Sequence, residues 1–272
     1  MLSTILEDIN TYKGVSRLLA VLLNLSRRVV SWVMKEESGR LFSRLRWMNM
    51  PLITSDGSKF FIRPFDFSDA FVLREVVNRK VYEKCSAPGK GDTVIDIGAG
   101  IGTFTVRASS LVGEEGSVIS IEPNPENYKL LLKNIKANRL QNVISINEAC
   151  TNYNGTAKLF IPGDTLLSSL VHNRNHPSYV FCKVERLDSL IRRLGIGKVD
   201  FLKIDVEGSE LEVLEGALET LSSNQLRITL EVHPPNEHRV VRFLGERGFS
   251  VKSSNRNIIY ASNINTDRPR LA

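Results

Sequence analysis

Five short runs of mostly β-branched residues, at 94–97, 118–121, 143–146, 201–204 and 226–232, are almost unbroken in hydrophobicity. A strand with one wet face alternates apolar and polar residues, so runs of this kind belong to strands covered on both faces, the condition of a parallel sheet. Helical patterns separate them near 104–111, 126–138, 209–221 and 236–248. Such alternation predicts a doubly wound α/β sheet. The region 156–187 departs from it, with strands expected at 158–161 and 180–184 around a polar loop. Upstream, 52–62 reads as two short strands around Asp56-Gly57, a dipeptide suited to a tight hairpin. Ser68 can then cap a helix running to about residue 84, with Phe71, Val72, Val76 and Val77 on its apolar side. There is no internal repeat.

A chain of 272 residues suits one main domain with an appendage. Hydrophobic residues at 42% and charged residues at 24% exclude a disordered or low-complexity protein. Cys85, Cys150 and Cys182 are odd in number and widely spaced, which argues against a disulfide framework or a structural zinc site and for a reducing compartment. The formal charge is +6, of which residues 1–50 carry +4 (eight bases, four acids). The basic excess thus sits in a terminal extension rather than around a working site, and a nucleic-acid partner is disfavoured.

Within that extension the longest apolar stretch, 18–25, is interrupted by Asn24 and followed by Arg27-Arg28, so neither a spanning helix nor a secretory signal is expected. A cytoplasmic location follows. Read as a helix, Arg17, Asn24, Arg28, Ser31 and Lys35 form one stripe and Leu18, Leu22, Leu25, Val29, Trp32 and Val33 another. Such an amphipathic segment suits packing on the main domain or on a second subunit, or peripheral contact with a membrane surface.

The segment from Val94 to Thr103, Val-Ile-Asp-Ile-Gly-Ala-Gly-Ile-Gly-Thr, puts a glycine-rich turn between a strand and a helix, where backbone amides and the helix N-terminus favour an anionic group. Glu122 ends the next strand, 24 positions after Gly98, placed to accept hydrogen bonds from both hydroxyls of a ribose. A dinucleotide fingerprint wants its third glycine at 103, but Thr103 stands there and the glycine is Gly102. Asp96 is also better placed beside an ammonium than beside a pyrophosphate. Both features favour S-adenosylmethionine over NAD.

Three segments, Asp96-Ile-Gly-Ala-Gly-Ile-Gly-Thr-Phe-Thr105, Ile121-Glu-Pro-Asn-Pro125 and above all the run from Phe201 to Ala217, Phe-Leu-Lys-Ile-Asp-Val-Glu-Gly-Ser-Glu-Leu-Glu-Val-Leu-Glu-Gly-Ala, resemble the FkbM-family methyltransferases. The resemblance covers about residues 52–252. It implies the mostly parallel seven-stranded Rossmann-like sheet of the class I S-adenosylmethionine-dependent fold, in a domain over 51–265 whose cofactor-binding core starts near 91, behind a helical extension at 1–50. It further implies that Asp96, Gly98, Gly100 and Gly102 line the methionine end, that Glu122 takes the ribose, and that Glu148 and Ala149 lie beside the adenine. The implied activity is O-methylation of a hydroxyl on a sugar, glycan or secondary metabolite.

The residues themselves point the same way. Asp205 and Glu207 stand two apart at the carboxyl end of a strand, the edge where open α/β sheets bind ligands, and so share a face. Asp205 suits a general base or a holder of a divalent cation that acidifies the hydroxyl. Glu231 and His233 end the next strand, and His233 is a base for near-neutral pH. His172 and His176 sit in the polar loop, and Ser168-Ser169-Leu170 resembles a short family motif near the cofactor. Ser209 is expected to cap a helix that buries Leu211, Leu214, Leu218 and Leu221 and leaves Glu212, Glu215 and Glu219 in solvent. The competing readings are an RNA methyltransferase, which lacks an aromatic platform interleaved with bases, a nicotinamide oxidoreductase, and a scaffold without ligand.

Overall fold

The computed structural model describes residues 7, 10–14, 16–18, 49–63, 67–161, 168–170, 178–254 and 257–264. A hairpin of β1 (Met50–Ile53) and β2 (Lys59–Ile62) precedes helix α1 (Phe67–Leu73), which continues as a π-helical turn over Arg74–Asn78. Then follow β3 (Thr93–Ile97), α2 (Thr103–Val112), β4 (Ser117–Ile121), α3 (Pro125–Ala137) and β5 (Val143–Ile146). A small sheet takes β6 (Ala149–Cys150), β7 (Gly155–Phe160) and β8 (Tyr179–Glu185). Helix α4 (Leu187–Leu194) leads back to β9 (Phe201–Ile204), α5 (Glu210–Glu215), α6 (Leu218–Ser223), β10 (Arg227–Glu231), α7 (Glu237–Gly245), β11 (Ser250–Ser253) and β12 (Ile258–Ser262).

Seven strands form the central sheet in the order β11-β12-β10-β9-β3-β4-β5. All pairs from β10 to β5 are parallel, and only β12 runs against its neighbours. This is the expected doubly wound, mostly parallel α/β sheet. The chain builds outward from β3 to β5 and then crosses back to β9 on the other side of β3, so the order reverses between β3 and β9. At that point the loops leaving the strands diverge and open a crevice. The four residues of β9 are all buried, as double-sided coverage requires.

Several elements differ from expectation for physical reasons. The helix expected over 68–84 ends at Asn78, after a widened turn. Helix α4 was not foreseen, although Leu187 and Leu190 give it a buried face. The helix expected over 209–221 is broken at Gly216, where a Cβ would lie 2.1 Å from the Thr151 carbonyl oxygen. It restarts as α6 because buried Asp188 accepts from the Glu219 and Thr220 amides at 3.0 and 2.9 Å, capping the new helix from α4. The break rotates Leu218 out to 41% exposure, so it leaves the buried stripe. Ser209 stands at the cap of α5 without a side-chain bond to it.

The described part of the amino terminus docks on the hairpin. Tyr12 is fully buried and bridges Thr54, and Ser16 Oγ accepts from the Ile53 amide at 2.9 Å. Glu7 accepts from Arg79 Nε at 3.1 Å, fastening the π-helical turn. The rest of the amphipathic stripe, 19–35, lies outside the described residues, as do His172 and His176. No helix among the described residues is long and apolar enough to cross a membrane. On the small sheet the register brings Phe160, Tyr179 and Phe181 into edge contact with Lys158 Nζ 4.4 Å from the Tyr179 ring, an aromatic and basic face that the sequence reading did not find.

Candidate active site

A cavity of about 460 Å³ opens at the carboxyl edge of β3, β4, β9 and β10. That volume is in the range of small-molecule sites. Gly98, Gly100, Thr103, Glu122, Glu148 and Ala149 line one part of it, and Tyr82, Lys203, Asp205, Glu207, Glu231 and His233 another. Ser168 and Leu170 of the short serine motif also reach the wall.

The glycine turn is built by the close approach of two strand ends. Gly98 has φ +75°, and a Cβ there would lie 1.7 Å from the Asp205 carbonyl oxygen. Its amide and that of Ala99 donate to the Ile121 carbonyl, folding the turn over the end of β4. Gly102 is not on the cavity wall; it caps α2 with φ +85° and lets Leu131 of α3 pack where a Cβ would be only 2.5 Å away. Asp96 is likewise absent from the wall. Its carboxylate is fully buried, accepts from Thr105 Oγ1 at 2.7 Å and faces Lys203 Nζ at 3.2 Å. The contact with a ligand ammonium expected of Asp96 is therefore replaced by a contact with this chain's own ammonium.

Lys203 was missed in the sequence, although a lone charge inside an apolar strand is a signal in itself. Its Nζ donates to the Gly98 carbonyl at 2.7 Å and lies 3.7 Å from Asp205 Oδ2. Burial opposes its charge, but Asp96 and Asp205 outweigh burial and hold its pKa above the ordinary lysine value. The lysine thus ties the glycine turn to the carboxylate at the end of β9.

Glu122 is 4% exposed and hydrogen-bonded to the loop that it faces. Its Oε2 accepts from the Gly100 amide at 2.7 Å and its Oε1 from the Asn124 amide at 2.9 Å. Burial raises its pKa against the pull of these donors. Asn127 Nδ2 also donates to Oε1, at 3.4 Å, so the lone-pair capacity left for a ligand hydroxyl is on Oε2. Thr103 Oγ1, also on the wall, is buried without a hydrogen-bond partner among the described residues. Glu148 reaches the cavity beside Ala149, but its carboxylate pairs with Lys183 and Arg193, both at 2.9 Å. What that turn offers a ligand is backbone and shape, not charge.

At the other end, β9 stops at Ile204, and Asp205 and Glu207 belong to the turn beyond it. Glu207 adopts φ +54°, a left-handed conformation costly for a non-glycine residue, so the two carboxylates do not alternate as in a strand. Ser169 Oγ donates to the Glu207 carbonyl at 2.6 Å and Asn236 Nδ2 to that of Gly208 at 2.8 Å, pinning the strained turn. His233 is held on both ring nitrogens, by Glu207 Oε2 at 3.1 Å and by the fully buried Glu210 Oε1 at 2.9 Å. Glu210 is a second residue that the sequence reading passed over.

The Glu210 hydrogen bond and the flanking carboxylates raise the His233 pKa to about 9, so the ring is cationic near neutral pH and is not the free base expected of it. Burial, then repulsion from Asp205, lifts Glu207 to about 8 and Glu231 to about 7. Asp205 has a side chain 24% exposed, its Oδ2 engaged by Tyr82 and Lys203, and no hydrogen bond to Oδ1 from the described residues. No group of three or more His, Cys, Asp and Glu among the described residues is arranged as metal ligands. With an ammonium already facing Asp205, the donor set does not fit the divalent cation considered for it.

These shifts set a stability profile. Glu231, Glu207 and His233 bind protons more tightly folded than unfolded, with ordinary values of 4.5, 4.5 and 6.5 raised to about 7, 8 and 9. Their stabilisation is complete in acid below the unfolded values and is lost as pH rises through the folded ones. Between about pH 5 and pH 9 the melting temperature of the ligand-free protein falls, on the order of 5 °C. Thermal melts across that range show the slope, and Glu207→Gln flattens it; a rising or level profile in the parent protein contradicts the site's electrostatics.

Comparison with known proteins decides the family. The sequence profile described as the methyltransferase FkbM domain matches residues 96–251, more than half of the chain. The chain belongs to the FkbM methyltransferase family. It is 24% identical over 214 residues to methyltransferase sdnD of Sordaria araneosa, covering 66% of this chain and 82% of that protein. Against the hexuronic acid methyltransferase AglP of Haloferax volcanii it is 27% identical over 163 residues, 59% of this chain and 64% of the relative. A solved FkbM methyltransferase from Methylobacillus flagellatus superposes with a TM-score of 0.46 at 16% identity, covering 72% of this chain and 55% of that one. As a member of this family the protein is a methyltransferase.

Proposed function

We propose that this methyltransferase uses S-adenosylmethionine to methylate an oxygen of a sugar or secondary metabolite. One observation carries the reading: a single cavity joins a buried ribose-type carboxylate, Glu122, locked to the Gly100 amide, with the part-exposed carboxylate of Asp205. Gly98, Gly100 and Thr103 form the cofactor wall, Glu122 suits the ribose hydroxyls, and Glu148 and Ala149 bound the adenine end. When bound, S-adenosylmethionine supplies a methyl group on a positively charged sulfur. The orphaned Thr103 hydroxyl and the spare acceptor capacity of Glu122 suit such a ligand. The hexuronic acid substrate in the name of AglP favours a sugar acceptor.

Asp205 Oδ1 receives the acceptor's proton, while Lys203 and Tyr82 steady Oδ2. Cationic His233, fixed by Glu210, holds Glu207 in its strained turn and so shapes the acceptor wall. Calorimetric titration with S-adenosylhomocysteine tests the cofactor assignment. Micromolar binding is expected, weakened about 10- to 100-fold in Glu122→Ala as bonds to a charged acceptor are lost. Absent binding, or NADH bound in its place, refutes the assignment.

A further inference from the structure

The phenol of Tyr82 lies 2.9 Å from Asp205 Oδ2 and 3.0 Å from Glu231 Oε2. A phenol has one proton and donates to one carboxylate at a time. A second oxygen at 3.0 Å is held only if it carries a proton of its own and donates back. The phenol does not stand ionised, because burial and the two acids keep its pKa well above the ordinary tyrosine value, so it parts with its proton only as another arrives. One carboxyl proton added to this row of three oxygens would give it two hydrogen bonds.

We propose that Asp205, Tyr82 and Glu231 form a proton relay that holds one carboxyl proton at rest and moves the acceptor's proton from Asp205 to Glu231. The idea rests on the methyl-transfer reading above. Burial and the Asp205 charge favour the resting proton on Glu231, against the pull of Lys203, whose Nζ lies 3.7 Å from Asp205 Oδ2. His233 and Glu207 are the other ionisable groups facing the chain; His233 attracts negative charge onto Glu231 and Glu207 opposes it.

The balance closes without any further reagent. The acceptor O–H bond breaks and an O–H bond forms on Asp205, as the acceptor oxygen gains a carbon bond and the donor sulfur loses one. Glu231 releases its proton to water. The Asp205 carboxyl then turns to bring that proton from the Oδ1 position to the Tyr82 side and passes it to the Tyr82 oxygen as Tyr82 passes its own to Glu231, and the resting arrangement returns.

Two variants test the relay, Tyr82→Phe and Glu231→Gln. Infrared titration of the ligand-free protein reads it without any turnover. The carbonyl band of a protonated Glu231, read as the difference between the parent protein and Glu231→Gln so that the band of Glu207 cancels, is expected near neutral pH, with its pH midpoint shifted in Tyr82→Phe. If Glu231→Gln removes no such absorption, the relay is wrong whether or not the protein methylates the chosen acceptor. In turnover assays each variant lowers kcat about tenfold or more with S-adenosylhomocysteine affinity unchanged, and the double variant is no worse than the slower single one, as groups in one chain behave. Independent, multiplying effects overturn the relay while leaving the methyltransferase reading intact.

Discussion

Asp205→Asn is expected to lower the turnover of methyl transfer by about a thousandfold, roughly 4 kcal/mol of barrier, while leaving affinity for S-adenosylhomocysteine within a factor of about three. The amide keeps the shape of the side chain and still faces Tyr82 and Lys203 through its oxygen, but it has no charge with which to take a proton. Lys203 touches both this carboxylate and the Gly98 carbonyl, so the variant's melting temperature must be checked beside its rate. Single-turnover rates against equilibrium binding separate the two effects. A variant that keeps more than a tenth of the parent rate removes Asp205 from proton transfer.

Gly98→Ala carries the largest expected effect on stability, a loss of about 4 kcal/mol or more. Its new Cβ would sit 1.7 Å from a backbone oxygen that cannot rotate away, in a residue whose φ of +75° already disfavours a side chain. Relief requires β3 and β9 to part at the switch point, which dismantles the cavity as well. Gly195→Ala is the control: its φ of +67° is similar and its backbone is left-handed helical, but nothing lies within 4 Å of the added atom. Backbone strain alone costs it about 1 kcal/mol. Urea unfolding of the two variants separates strain from collision, and equal losses would mean that the strand ends are not packed as described.

The parallel sheet was legible because burial on both faces leaves an unambiguous trace in composition, and all five apolar runs became strands of the central sheet. Gly98, Gly100 and Glu122 were legible because strand, turn and acid are close in sequence, and the structure brings them to one wall. Helix α4 had a readable apolar period that the alternation of longer elements obscured. The break at Gly216 was not readable, because the atom that forbids a side chain there belongs to Thr151, 65 positions away.

The acceptor end divides in the same way. Local order alone determines that Asp205 and Glu207 leave β9, and Glu231 and His233 leave β10, at the ligand-binding edge of a doubly wound sheet. Which of these groups can act was decided only by tertiary contacts. Asp96 turned inward because Lys203 lies within 3.2 Å, His233 ceased to be a free base because Glu210 and Glu207 occupy both its nitrogens, and Tyr82 entered from a distant turn to join two carboxylates. A sequence pattern records which faces are wet or dry, a property of neighbours along the chain. Proton affinity depends on charges a few ångströms away in space, and the fold assembles those from residues as much as 149 positions apart.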